Sequence, residues 1–268
     1  LLLLGILIFD YSTTKGNPLM YSIKKRTHGK SRPLLAALAA VTLFVGPILA
    51  DGPTEKSIQG PNGVDVSVKM IGPVTQTADL QIICVLQHEP AGDKYIEAMK
   101  DFNDKLGGLL SSIRDRGEFA GEPGETFLFN PPANSIAPKQ VLLIGVGEEK
   151  LLTLDRLKLV GRIAAREAVR LNAVHVSFAP TLRDQGSNRI DVGDGDAAVT
   201  EAFLLAYDTE TKLQAQSLST KASITDFTIE AGPKFFDGAL KKVTDAVSVA
   251  ATELSERKNV PYVSLQIK

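Results

Sequence analysis

Four groups of residues in this chain are of types that do chemistry. Gly145-Val146-Gly147 closes an apolar run, Gln140 to Val146, and a glycine pair at a strand end is where backbone N–H groups hold phosphate. The third glycine of a dinucleotide fingerprint is missing, because position 150 is Lys, and no Gly-Lys-Ser/Thr follows. Gly145 and Gly147 are therefore candidates only for a simple anion or nucleotide loop. Asp191-Val192-Gly193-Asp194-Gly195-Asp196 has the look of a cation loop. Yet Glu201 stands too close to Asp191 to serve as the twelfth position of an EF-hand. An Asp-rich turn whose last Asp caps the following helix accounts for it.

His88 and His175 are the only histidines after residue 50, and Cys84 is the only cysteine. Neither histidine belongs to a His-Glu-x-x-His pair or is joined by a Gly-x-Ser-x-Gly elbow. Cys84 lies in Leu80–Leu86, a run that reads as a buried strand, so it is a core thiol rather than a nucleophile. A lone cysteine forms neither an intramolecular disulfide nor a structural zinc site. Asp155, Arg156, Arg162 and Arg166, like Lys241-Lys242, read as solvated helix faces. No catalytic set and no metal site emerges, and no cofactor is implied.

The elements that would position these groups follow from periodicity. Val64 to Met70 alternates with period two, a strand with one wet face. Leu80–Leu86 and Gln140–Gly147 are continuously apolar, as for strands covered on both faces. Glu125 to Phe129, Ala173 to Phe178 and Ile224 to Ile229 add three strands, and Tyr262 to Ile267 a last one. Helical spacing covers 94–113, interrupted at Gly107-Gly108, then 153–171 with Thr153 as cap, 196–209 and 235–254. Strands alternating with helices predict an α/β fold, a three-layer α/β/α sandwich with a mixed sheet.

Residues 1–50 read differently. Lys24, Lys25, Arg26, Lys30 and Arg32 precede an apolar stretch from Leu34 to Val45, and Ala50 ends a small-residue site before Asp51. That is a secretory signal with Met20 as its initiator, residues 1–19 being a misassigned start. Export to the periplasm or medium, with cleavage near Ala50, is expected; membrane attachment follows only if the signal stays uncleaved. The apolar run is shorter than the roughly 20 residues of a spanning helix. Residues 51–61 then form a polar lead-in and 62–268 a single domain. Of 30 basic and 31 acidic residues, six basic and one acidic lie before Asp51, leaving 24 against 30. So acidic a body is not built for nucleic acid.

Gly124-Glu125-Thr126-Phe127-Leu128, Val141 to Gly147, Leu152 to Leu157 and Gly161-Arg162-Ile163-Ala164-Ala165-Arg166 together resemble the N-terminal domain of the leucyl (cytosol) aminopeptidase family, peptidase family M17. Ala197–Tyr207, Phe227-Thr228-Ile229 and the helix at 237–254 extend the likeness over about 62–256. The resemblance implies a macro-domain-like fold. It also implies that peptidase chemistry belongs to a separate two-metal domain, whose Val-Gly-Lys-Gly, Phe-Asp-Ser-Gly-Gly and Asn-Thr-Asp-Ala-Glu-Gly-Arg stretches do not occur here. Ordinary members are cytosolic, so an export signal departs from the pattern. The expected role is a non-catalytic binding or assembly module. Its partner would be a protein or a small anionic ligand, held at the loops after 80–86 and 140–146. The alternatives are a truncated or split metallo-aminopeptidase and an ADP-ribose or nucleotide binder.

Overall fold

The computed structural model describes residues 54–257. The signal segment, residues 1–19 and the strand expected at 262–267 lie outside the described residues. Seven strands form one mixed sheet: β1 (Glu55–Gln59), β2 (Asp65–Lys69), β3 (Leu80–Leu86), β4 (Thr126–Phe129), β5 (Gln140–Gly147), β6 (His175–Ala179) and β7 (Asp226–Glu230). Their spatial order is β1-β2-β7-β6-β3-β5-β4. The five inner strands run parallel, and β1 and β4 close the edges antiparallel. Helices α1 (Glu97–Lys105), α2 (Leu109–Asp115), α3 (Leu154–Arg170), α4 (Val192–Ala215) and α5 (Phe236–Arg257) complete the layers. The result is the three-layer α/β/α sandwich that the alternating pattern predicts.

Each face of the sheet has its own core. Leu80, Ile82, Cys84, Leu142, Ile144, Phe178, Phe227 and Ile229 point to one side, where α3, α4 and α5 cover them. Phe203 of α4 stacks on Phe227 with ring centroids 3.9 Å apart. The α3–α4 contact is close because its residues are small. A Cβ at Gly161 would run into the carbonyl oxygen of Val199, and Ala164, Ala168, Ala198 and Ala202 are buried nearby in the same core. On the other side Ile83, Val85, Val141 and Leu143 meet Met99, Phe102, Leu110 and Ile113 of α1 and α2. Gly107 and Gly108, both at positive φ, separate those two helices where the sequence places the break.

The second face changes character toward β2. Ser67, Thr228, Ser177 and Gln81 stand in register across β2, β7, β6 and β3, a polar row spanning four strands. All four are buried. Segment 70–79, which returns the chain from the carboxyl end of β2 to the amino end of β3, packs Val74 onto this side's core and bonds to 137 and 139. The alternation at 64–70 therefore does not leave a wet face at Ser67. The expected lead-in at 51–61 is also corrected: 55–59 is an edge strand, polar because its side chains face solvent and held by five register pairs to β2.

Candidate functional site

The two glycines singled out from the sequence are structural. A Cβ at Gly145 would collide with the carbonyl oxygen of Glu122, because segment 120–125 crosses directly over the end of β5. Gly145 donates its N–H to the Glu125 carbonyl at 2.8 Å, and Gly147 donates to the Gly121 carbonyl at 2.9 Å. Both N–H groups are taken by the backbone of segment 121–125. Arg156 seals the same turn by donating to the Val146 carbonyl at 3.0 Å. The hollow beside it, at the ends of β3 and β5, is walled by His88, Glu89, Glu148, Glu149 and Lys150. Its carboxylates outnumber its cations.

His88 is not a free surface residue. Its Nδ1 lies 3.1 Å from a carboxylate oxygen of Asp93. Asp93 is also paired with the Nε of Arg114 and accepts the Tyr95 hydroxyl at 2.9 Å. Burial works to raise the Asp93 carboxyl, but the hydrogen bond and charge of Arg114 outweigh it and hold the group below the usual range. Arg114 itself is buried and donates to the Leu86 carbonyl at 2.7 Å. The cluster ties the loop after β3 to α2. His175, at the start of β6, is exposed, and Asp79 accepts its backbone N–H at 2.9 Å.

The Asp-rich segment is a helix start rather than a cation loop. Its first aspartate, not its last, is the cap: Asp191 accepts from the Asp194 N–H at 3.3 Å, and α4 begins at Val192. Asp194 pairs with Lys242 of α5 at 2.6 Å. Asp196 is fully buried inside α4, with neither carboxylate oxygen bonded to the protein. Burial, then the Asp191 charge, pushes its carboxyl well above the ordinary range. Burial likewise raises the Cys84 thiol, and Asp196 adds to it. Among the described residues no group of three His, Cys, Asp or Glu is placed to hold a metal ion, and no helix is long and apolar enough to cross a membrane.

The concave feature with mixed chemistry lies elsewhere, above the carboxyl ends of β6 and β7. A crevice of about 130 Å³ is walled by Ile71 and Pro73 from segment 70–79, Ala179 at the end of β6 and Pro180 after it, and Phe235 before α5. Glu230, the last residue of β7, forms part of its lining. The crevice opens outward past Glu97, Arg183, Asp184 and Phe235 into a bowl that Lys94 and Lys234 also line. The Arg183 guanidinium sits over the Phe235 ring at 5.0 Å, and the Lys234 ammonium lies 5.6 Å from the same ring. These side chains place three cations along the outer part.

Three carboxyl groups share the site. Burial raises Asp184 to about 6, with Glu97 adding to the effect, although the backbone N–H groups of Met99 and Ala98 hold it down. Glu97 has φ of 45°, a left-handed conformation uncommon for a residue with a Cβ. Burial raises Glu230 to about 7, opposed by hydrogen bonds from Ser177 and Gln81. Sequence reasoning missed this site because its residues come from five separate segments and none belongs to a motif.

The fold is shared with known structures. A variant of tomato leucine aminopeptidase superposes with a TM-score of 0.57 at 18% identity, covering 73% of this chain and 37% of that one. A variant of the Oceanobacillus iheyensis macrodomain gives 0.53 at 8% identity over 75% of this chain and 98% of the other. The same macrodomain solved with ADP gives 0.51 at 10% identity, over 73% and 97%. These likenesses establish a macrodomain-like fold. A probable cytosol aminopeptidase of Geotalea uraniireducens is 32% identical over 109 residues, which are 39% of this chain and 20% of that protein. The chain thus spans a fifth of the length of that relative. Residues 83–216, half of the chain, match the N-terminal domain of the cytosol aminopeptidase family, and the chain belongs to that family.

Proposed function

We propose that this domain is a non-catalytic module that takes a small phosphate-bearing ligand of nucleotide type into the crevice above β6 and β7. The observation that carries the reading is the polarity of the crevice. Ile71, Pro73, Ala179, Pro180 and Phe235 give it apolar walls, and Arg183, Lys94 and Lys234 line its outer part. A ring with an attached phosphate matches that gradient, because apolar walls bury the ring while cations meet the phosphate. Location supports it as well, since ligands of open α/β sheets sit outside the carboxyl ends of the strands. The Oceanobacillus iheyensis macrodomain, of the same fold, has been solved with ADPR and with ADP. Calorimetric titration of the full chain with ADP and ADP-ribose should give saturable binding that Arg183→Ala weakens about tenfold or more. No heat together with an unchanged melting temperature for either ligand overturns the reading.

The family match favours a second reading, in which the domain docks against an aminopeptidase catalytic domain supplied by the same or another chain. Co-expression with such a domain should give a complex that survives gel filtration; separate elution sinks it. Under either reading we propose export directed by residues 20–50. Mass analysis of chain expressed in cells with an intact secretory pathway should find a mature start at Asp51. Intact chain confined to the cytosol refutes export.

A further inference from the structure

The helices that cover the first core carry a groove of about 320 Å³ on their outer side. It shares no lining residue with the crevice above β6 and β7. Ala202, Leu205 and Ala206 of α4 give it an apolar base, and side chains of α3 and α5 stand around that base. Its charges are uneven. Lys158, Arg162 and Arg166 of α3 follow one another at steps of four, which puts them in one row. Arg257 joins them from α5, and Glu201 and Glu253 are the carboxylates of the lining. Both carboxylates are already committed: Glu201 pairs with Lys158 at 2.8 Å and Glu253 with Arg257 at 2.6 Å.

Two arginines are left over. Of the basic residues of α3, Arg156 donates to the Val146 carbonyl, Lys158 to Glu201 and Arg170 to Glu167. Arg162 and Arg166 are exposed, with no hydrogen-bond or ion-pair partner among the described residues. Like charges one turn apart repel and weaken a helix unless something neutralises them. The surplus is local, because residues 51–268 carry 24 basic against 30 acidic side chains.

From this groove we infer a docking surface for an acidic amphipathic helix of a partner protein. A guanidinium fork pairs with a carboxylate through two parallel hydrogen bonds. Two carboxylates four residues apart on a helix lie about 6 Å from each other, the same step that separates Arg162 from Arg166. Small or aliphatic side chains beside those carboxylates meet Leu205 and the two alanines. Nucleic acid fits less well, since its phosphates gain nothing from an apolar base and the acidic body repels a long polyanion. Residues 258–268 do not balance the groove either: they add Lys258 and Lys268 and no acidic side chain.

The test is an amide NMR titration of the full chain with a synthetic helical peptide carrying pairs of Glu four residues apart among Ala and Leu. Saturable shifts should centre on 158–166 and 253–257. A counterpart peptide with Gln for Glu should bind about tenfold or more weakly, and so should the Glu peptide to Arg162→Gln/Arg166→Gln. Lys105→Gln/Lys241→Gln removes the same charge from exposed sites on α1 and α5 outside the groove and should leave the affinity unchanged. Both double variants alter exposed side chains only, so their melting temperatures should match the native one. Absent shifts at the groove, equal affinity for the Glu and Gln peptides, or equal losses in the two double variants overturns the proposal. A short DNA duplex that shifts the same amides at lower concentration than the Glu peptide overturns it in favour of nucleic acid. None of these outcomes bears on the crevice reading.

Discussion

Replacing Glu230 by Gln should make the domain more stable at pH 8 and leave it nearly unchanged at pH 4. The side chain is buried, its Oε2 is unpaired, and no cation offsets its charge. Its carboxyl moves from an ordinary 4.5 to about 7 on folding. The folded state therefore holds the Glu230 proton more tightly than the unfolded chain. The stability that this proton supplies is complete below about 4.5 and is lost as pH rises to about 7. That displacement is worth about 3 kcal/mol between the two ends of the window. Gln keeps an oxygen for the Ser177 hydroxyl and never ionises. Urea unfolding of the full chain and of Glu230→Gln at pH 4, 6 and 8 would read the difference directly. Asp184 and Asp196 also titrate upward on folding, but both chains contain them, so their contributions cancel in the comparison. Parallel pH profiles for the two chains would refute the reasoning.

Four other outcomes follow from the same structure. Gly145→Ala should destabilise the domain by about 3 kcal/mol or more, because a Cβ there collides with the backbone of 121–122 rather than with a movable side chain; a denaturation midpoint equal to the native one would count against it. Thr153→Ala removes the hydroxyl that accepts from the Arg156 N–H at the start of α3 and should cost about 1 kcal/mol in urea unfolding. Asp93→Asn strands the buried Arg114 charge and should cost about 3–5 kcal/mol near neutral pH. Because the Asp93 carboxyl is lowered on folding, that loss should narrow as pH falls through the acid range; a cost independent of pH would contradict it. Cys84 is buried, with its thiol raised by burial, so it should resist a thiol reagent in the native chain and react at once in denaturant.

Much of the fold is legible because the inner strands obey burial. Leu80–Leu86 and Gln140–Gly147 are covered on both faces, and their continuous apolar runs say so. The break at Gly107-Gly108 and the Thr153 cap are equally direct, since both rest on local backbone chemistry. Edge strand β1 is not legible: 55–59 is exposed along most of its length and carries no apolar signal. The start of α4 is misplaced by periodicity because Gly193, Gly195 and Asp196 are buried within its first two turns, where a helical stripe would carry larger apolar groups. Ser67 reads as solvent-facing because alternation reports polarity, whereas in the folded chain it is buried.

The position of the crevice follows from how the two halves of the sheet are finished. At β3 and β5, segment 120–125 adds backbone pairing to the strand ends: Gly145 and Gly147 donate to it, and His88 donates its N–H to the Ala120 carbonyl at 2.7 Å. The hollow that remains has Glu89, Glu148 and Glu149 against Lys150, and Lys150 is already paired with Glu148 at 2.6 Å. An anion would meet uncompensated negative charge there. At β6 and β7 the neighbouring loops bring Arg183, Lys94 and Lys234 instead. Of the opposing carboxyls, Asp184 at about 6 and Glu230 at about 7 carry less than full charge near neutrality, which tips the local balance toward cations. The two sets of strand ends therefore differ in the charges their loops bring, a contrast that appears only when those loops are brought together.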